Sequence, residues 1–171
     1  MARPHSLIAL LGFGAGVTAA AWFGARYSPR SSRNQIWYSR LEKPAFNPPD
    51  SVFPIVWTAL YALIAFSGWR TWQAEDSRHR SQALRLWVKQ LMTNAQWSRL
   101  FFGQHRPKAA LADVLLLETL ILRYIRNTKD VDRAAALAFV PYAAWVAFAA
   151  VLNSEIARRN PDAEKMLPRA A

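Results

Sequence analysis

The stretch Trp37-Tyr38-Ser39-Arg40-Leu41-Glu42-Lys43-Pro44-Ala45-Phe46-Asn47-Pro48-Pro49 runs almost directly into Val52-Phe53-Pro54-Ile55-Val56-Trp57-Thr58-Ala59-Leu60-Tyr61. Pro44, Pro48 and Pro49 fix three φ angles, remove three N–H donors and push the residues before them away from helix. The first half is therefore expected to lack regular structure. The second half is apolar and carries Pro54 in its opening turn, where a missing N–H costs little. A stiff aromatic loop thus feeds a long hydrophobic helix.

Outward from that helix, residues 7–25, 52–69 and 134–154 hold no charged side chain over 19, 18 and 21 positions. Each run is about the length that crosses a ~30 Å hydrocarbon layer at ~1.5 Å per residue. The mean hydropathy of −0.03 hides them, because charged loops dilute the average. A chain of 171 residues fits one domain, and three such runs in it make a multi-pass integral membrane protein the expectation. The net charge of +11 sits between the runs, as basic residues flanking membrane spans do. A nucleic-acid partner would need a basic face or a recognisable module; neither is visible, and none is expected. With no cysteine, disulfide and thiolate chemistry are excluded. His5, His79 and His105 fall at or beyond the ends of the runs, so no metal site is expected within them.

Two further segments are patterned rather than purely apolar. In residues 86–105, Gln90, Asn94, Trp97 and Phe101 are spaced by four, three and four, which places them on one helical face. Polar groups sharing a stripe with aromatics should face other helices, since lipid exposure costs several kcal/mol each. Residues 109–126 carry Asp113 and Glu118, which point away from each other and form no catalytic pair. Pro141 within 133–157 should kink that helix. The predicted fold is an all-α, five-transmembrane-helix bundle in one domain over 1–157. Its spans are 7–25, 52–72, 86–105, 109–126 and 133–157, with a Pro-rich loop at 26–51 and a disordered tail at 158–171. Gly12, Gly16, Ala20 and Gly24 leave a stripe on the first span that lets another helix approach closely. The partner helix belongs either to the same chain or to a second copy, and on the second reading a homodimer is expected.

The Lys-Pro, Pro-Pro and Phe-Pro-x-Val-Trp-Thr-x-Leu-Tyr sequence resembles the translocator protein / tryptophan-rich sensory protein family, the TspO/MBR or peripheral-type benzodiazepine receptor family. The resemblance extends through Gln90-Leu91-x-x-Asn94-x-x-Trp97-x-x-Leu100-Phe101-Phe102, Ala112-Asp113 with the leucines after it, and Pro141-Tyr142-Ala143-Ala144-Trp145 to Leu152-Asn153. It covers most of residues 37–157 in order. It implies a five-helix bundle with a cavity opening toward the first loop, and tetrapyrroles such as protoporphyrin IX as ligands. Carried over by position, the ligand would meet Phe46, Trp57, Tyr61, Asn94, Trp97, Tyr142, Trp145 and Ala149, with Leu152 and Asn153 deeper. Two departures stand out. Phe46 occupies a place usually held by tryptophan, which removes an indole donor. No tyrosine follows Leu152, so the sterol-contact pattern of the family is missing.

The residues support a pocket independently of the resemblance. Trp57 and Tyr61 are four apart on one helix, and Tyr142, Trp145, Ala149 and Leu152 form one stripe on another. Rings with a few polar tips suit a flat, mostly apolar ligand; the plain alternative is that the same rings pack a core. The predicted function is binding of a porphyrin or similar hydrophobic small molecule for sensing, sequestration or transport, in a lipid bilayer and with no required cofactor. Two alternatives stand beside it. One is a light-dependent porphyrin-degrading catalyst using Trp57 and Trp145, although no acid–base pair or nucleophile accompanies them. The other is a structural or assembly protein built on the small-residue stripe. Because the apolar run continues through Trp22 and Phe23, longer than a usual signal core, the first span is expected to be retained. N-terminal sequencing of the membrane-extracted protein should not give a start near residue 22.

Overall fold

The computed structural model describes residues 6–29 and 32–166, whose regular structure is all helical with no strand. The helices are α1 (Ser6–Ala25), α2 (Ser32–Arg40), α3 (Val52–Gln73), α4 (Arg78–Ser98), α5 (Pro107–Thr128), α6 (Arg133–Ala138) and α7 (Val140–Arg159). A π-helical turn, Arg99–Gly103, closes α4, and a 3-10 turn, Ala163–Lys165, follows α7. Helix α4 packs most extensively on α5, α5 on α7, and α1 on both α3 and α4. By length and composition Ser6–Ala25, Val52–Gln73 and the nearly continuous Arg133–Arg159 can cross a membrane. The more charged α4 and α5 do not meet that measure.

Three sequence expectations are corrected by the fold. Residues 37–41, expected to be irregular, begin inside α2, and Trp37, Tyr38 and Leu41 are buried. The prolines restrict the backbone only from Lys43 onward, and residues 32–40 contain neither Pro nor Gly. Helix α4 starts at Arg78 rather than at 86. The Ser77 hydroxyl accepts from the Arg80 amide at 3.0 Å and caps it. Arg80 itself turns inward, donating from Nε and Nη2 to the Trp72 carbonyl at 3.1 and 2.9 Å and pairing with Asp76. The charges at Arg78, Arg85 and Lys89 ride the outer face, while Arg80, Ala83, Trp87, Gln90 and Asn94 make a buried stripe. The tail, expected to be disordered from 158, is packed through 166, with Asn160 and Ala163 buried; residues 167–171 lie outside the described residues. The contacts that order it lie far away in sequence. The Trp37 indole donates to the Ala163 carbonyl at 2.9 Å, and the Asn160 amide bonds both the N–H and the C=O of Glu42, each at 2.9 Å.

Pro141 acts where it was expected to. The last expected span breaks at Phe139 into α6 and α7, with Pro141 in the first turn of α7. Asp132 caps α6 by accepting from the Ala135 amide at 2.7 Å, and its carboxylate pairs with Arg70 at 2.7 Å. A polar knot ties this region to α3 and α5. Ser67 donates to the Ala135 carbonyl at 2.7 Å, and Tyr124 O–H lies 2.8 Å from both the Ser67 and Thr71 hydroxyls.

The tightest junction joins α1, α3 and α4. The Trp87 indole donates to the Ile64 carbonyl at 2.9 Å and meets Phe13 edge to face, with centroids 4.9 Å apart. A Cβ on Gly68 would lie 2.6 Å from both rings. The small-residue stripe of α1 serves this same packing. A Cβ on Gly16 would lie 3.6 Å from Trp87, Ala20 is buried, and a Cβ on Gly24 would lie 3.2 Å from Ser98 Oγ. Only its Gly12 end meets open space. Gly68→Val should therefore cost about 1–3 kcal/mol through overpacking. Gly12→Ala should leave the melting temperature in detergent within about a degree or raise it slightly. Equal effects in thermal melts would contradict this packing.

Candidate ligand site between α3, α4 and α7

Helix α3 presents Phe53, Trp57 and Tyr61 on successive turns, and α7 presents Tyr142, Trp145, Ala149 and Leu152 on one stripe. The two helices meet mainly through these side chains. Trp57 lies against Tyr61 at 5.3 Å between centroids and edge-on to Tyr142 at 6.2 Å. Trp145 meets Phe53 at 5.9 Å and Phe148 at 5.5 Å, and Phe148 in turn meets the half-exposed Phe46 of the Pro-rich loop at 6.3 Å. Phe46 thus reaches the site through Phe148. Sequence reasoning missed Phe53 and Phe148, although both were visible one helical turn from residues it chose: 53 from 57, and 148 from 145.

Helix α4 supplies the polar tips. Tyr61 O–H donates to Asn94 Oδ1 at 3.1 Å, and Asn94 Nδ2 donates to the Tyr142 hydroxyl oxygen at 3.0 Å. Asn94 and Tyr142 are both buried, so this amide ties α3 to α7 through α4. A second link lies one turn nearer the loop. The Trp97 indole donates to Asn153 Oδ1 at 3.1 Å, while Asn153 Nδ2 donates to the Pro107 carbonyl at 2.8 Å. Trp97 stacks on Phe101 at 4.9 Å and 16°. Leu152 packs with Trp37, Leu41 and Phe101 under the loop. Asn153 and Leu152 are therefore nearer the loop than Tyr142, not deeper, because α7 runs toward that end. Ala149 is half-buried against the central core.

Indole commitments divide the tryptophans. The N–H groups of Trp37, Trp69, Trp87 and Trp97 all donate to protein oxygens. Trp57 and Trp145 are half-buried in the wall, and neither N–H finds an acceptor among the described residues. The loop above the site is held by His105 as well. Its ring lies 4.7 Å from Trp37, and its Nε2 is 3.2 Å from Asn34 Oδ1. Burial, with Arg33 adding to it, pushes the His105 pKa below the ordinary imidazole value. The imidazole is then neutral at pH 7, and an Nε2–H tautomer can donate to Asn34.

The arrangement offers aromatic faces, two free indole donors and a buried amide–phenol relay. Among the described residues it holds no nucleophile with a base beside it. Asp113 is engaged with Gln96, whose Nε2 donates to Oδ1 at 3.1 Å.

Residues 12–159 match the model of the TspO/MBR family. The chain is 37% identical to the tryptophan-rich sensory protein of Cereibacter sphaeroides over 150 residues, covering 88% of this chain and 90% of that protein. It is 35% identical to the tryptophan-rich protein TspO of Chlorobaculum tepidum, over 84% and 90% of the two chains. It is also 30% identical to the translocator protein of Bos taurus, over 88% and 89%.

Asn94→Leu should leave the Tyr142 hydroxyl buried without its partner, at a cost of about 1–3 kcal/mol. Tyr61→Phe, at the half-buried end of the relay, should cost less. Adding Tyr142→Phe to Asn94→Leu should recover part of the loss, with a coupling of about 0.5–3 kcal/mol in a thermal-melt double-mutant cycle. Simple additivity would mean that the two groups do not interact.

Proposed function

Because the chain belongs to the TspO/MBR family, we propose that it binds a planar, mostly apolar tetrapyrrole such as protoporphyrin IX, for sensing, sequestration or transport. The protein is of membrane character, with three helices fit to span. On this proposal α4 and α5 span as well, giving a multi-pass bundle of five in one domain over 1–157. The inward face of α4 then meets other helices, while Lys89 and Arg99 on its outer side extend toward opposite edges of the bilayer. A homodimer through α1 would use the end at Gly12, where Ile8 and Leu11 are also exposed, since the rest of the stripe is occupied.

The observation that carries the ligand reading is the pair of uncommitted indoles at Trp57 and Trp145, set in a wall of rings whose other polar groups are satisfied. A tetrapyrrole presents a π-face to the rings and carboxylates to N–H donors. To enter, it has to part Phe53 from Trp145 and Trp57 from Tyr142, contacts worth about 0.5–1.5 kcal/mol each, which its own faces replace. The same two indoles support a second reading, light-driven porphyrin breakdown, because an indole beside an excited porphyrin can be oxidised.

Protoporphyrin IX titrated in the dark should bind the parent and quench its tryptophan fluorescence. Trp145→Leu should weaken binding by roughly two- to ten-fold, from the loss of one stacking partner at ~1.4 kcal/mol per decade. Trp145→Phe should keep most of the affinity and lower any light-dependent bleaching. Trp22→Leu, on the outer surface of α1, should bind as the parent does. Parent-like affinity in Trp145→Leu together with loss in Trp22→Leu would refute this site.

A further inference from the structure

On the outer side of the bundle, away from the aromatic wall, α1 and α4 enclose a cleft of about 240 Å³ lined by Phe23, Met92, Ala95, Gln96 and Arg99. Its floor is apolar: Phe23 from α1, and Met92 and Ala95 from α4. Its rim is cationic. Arg99 is exposed and forms no ion pair or side-chain hydrogen bond among the described residues. The contact of Gly24 with Ser98 sets the two chain segments level there, which brings Arg26, two residues past Gly24, to the same end as Arg99. The Arg26 guanidinium lies 4.2 Å over the ring of the exposed Trp22 and has no carboxylate partner among the described residues. Asp113 is buried and bonded to Gln96, and it forms no ion pair with Arg99 or Arg26 among the described residues.

An apolar slot with the Arg99 guanidinium on its rim, and with Arg26 and the exposed Trp22 toward the same end of α1, matches an amphiphile with an acyl chain and an anionic head. Arginine forks suit phosphate oxygens, and basic pockets between membrane helices select anionic lipid. The π-helical turn contributes directly. The Gln104 amide donates to the Arg99 carbonyl at 2.8 Å, widening the helix at the residue that carries the rim charge.

We propose that this α1–α4 cleft is a binding site for one anionic phospholipid, its phosphate between Arg99 and Arg26 and an acyl chain over Phe23, Met92 and Ala95. The site rests on the membrane reading of the chain but is independent of the porphyrin site.

The test is native mass spectrometry of the detergent-purified full chain with phosphatidylglycerol or phosphatidylcholine added. The parent should retain phosphatidylglycerol in preference. Arg99→Gln should reduce that preference about fivefold, and Arg26→Gln by a similar factor. Trp145→Leu should leave it unchanged, which separates failure of the lipid site from failure of the porphyrin site. A phosphatidylglycerol with a photoreactive acyl chain, applied to the parent, should label the peptides containing Phe23 or Met92. That measurement does not depend on any variant folding. Equal retention of both lipids, an unaltered preference in Arg99→Gln, labelling only elsewhere, or cross-linking of Met92 to a second copy of the chain would each overturn the proposal.

Discussion

One side-chain amide, that of Asn94, is bonded at both ends inside the bundle, to Tyr61 of α3 through its oxygen and to Tyr142 of α7 through its nitrogen. In an apolar interior an amide without partners is expensive, so the three helices are held to one relative height and rotation. Helices α3 and α7 barely touch through their backbones, so this bridge and the ring contacts relate them at this level, as the Ser67–Ala135 bond does at the α6 end. The aromatic wall is therefore positioned by hydrogen bonding and filled by packing. That division separates what sets the register of the helices from what fills the space between them.

The same logic separates two kinds of tryptophan. Trp87 and Trp97 have both their ring faces and their N–H groups engaged, and they act as struts between helices. Trp57 and Trp145 have ring neighbours but, among the described residues, no acceptor for the indole N–H. A residue type that a composition count treats as uniform is thus split by its hydrogen bonds into rings anchored at the N–H and rings held by packing alone.

Much of this was legible in the sequence, because it depends on short spacings. The face through Gln90, Asn94, Trp97 and Phe101 turned inward as a 4-3-4 spacing requires, and Pro141 marked the break before α7. What escaped depends on distant partners. Arg80 reads as a loop charge until the Trp72 carbonyl and Asp76 are placed beside it. The 158–166 segment reads as polar tail until Trp37 and Glu42 arrive to bond it. The stripe on α1 could not reveal from its own residues that most of its partner surface was α4 of the same chain. Of the site, the residue types were legible and their depth was not, since Leu152 and Asn153 take their level from the start of α5 and from α2.

The bond between Trp37 and Ala163 spans 126 positions, and the clamp of Asn160 on Glu42 spans 118. Everything from α3 to α7 lies between the two ends of these bonds. During synthesis on a ribosome, the Pro-rich segment emerges long before its fasteners exist. Each intervening helix can therefore be made and packed while the α2 end of the bundle is still unlatched. Closure is a late assembly event, set by the order in which the chain is made.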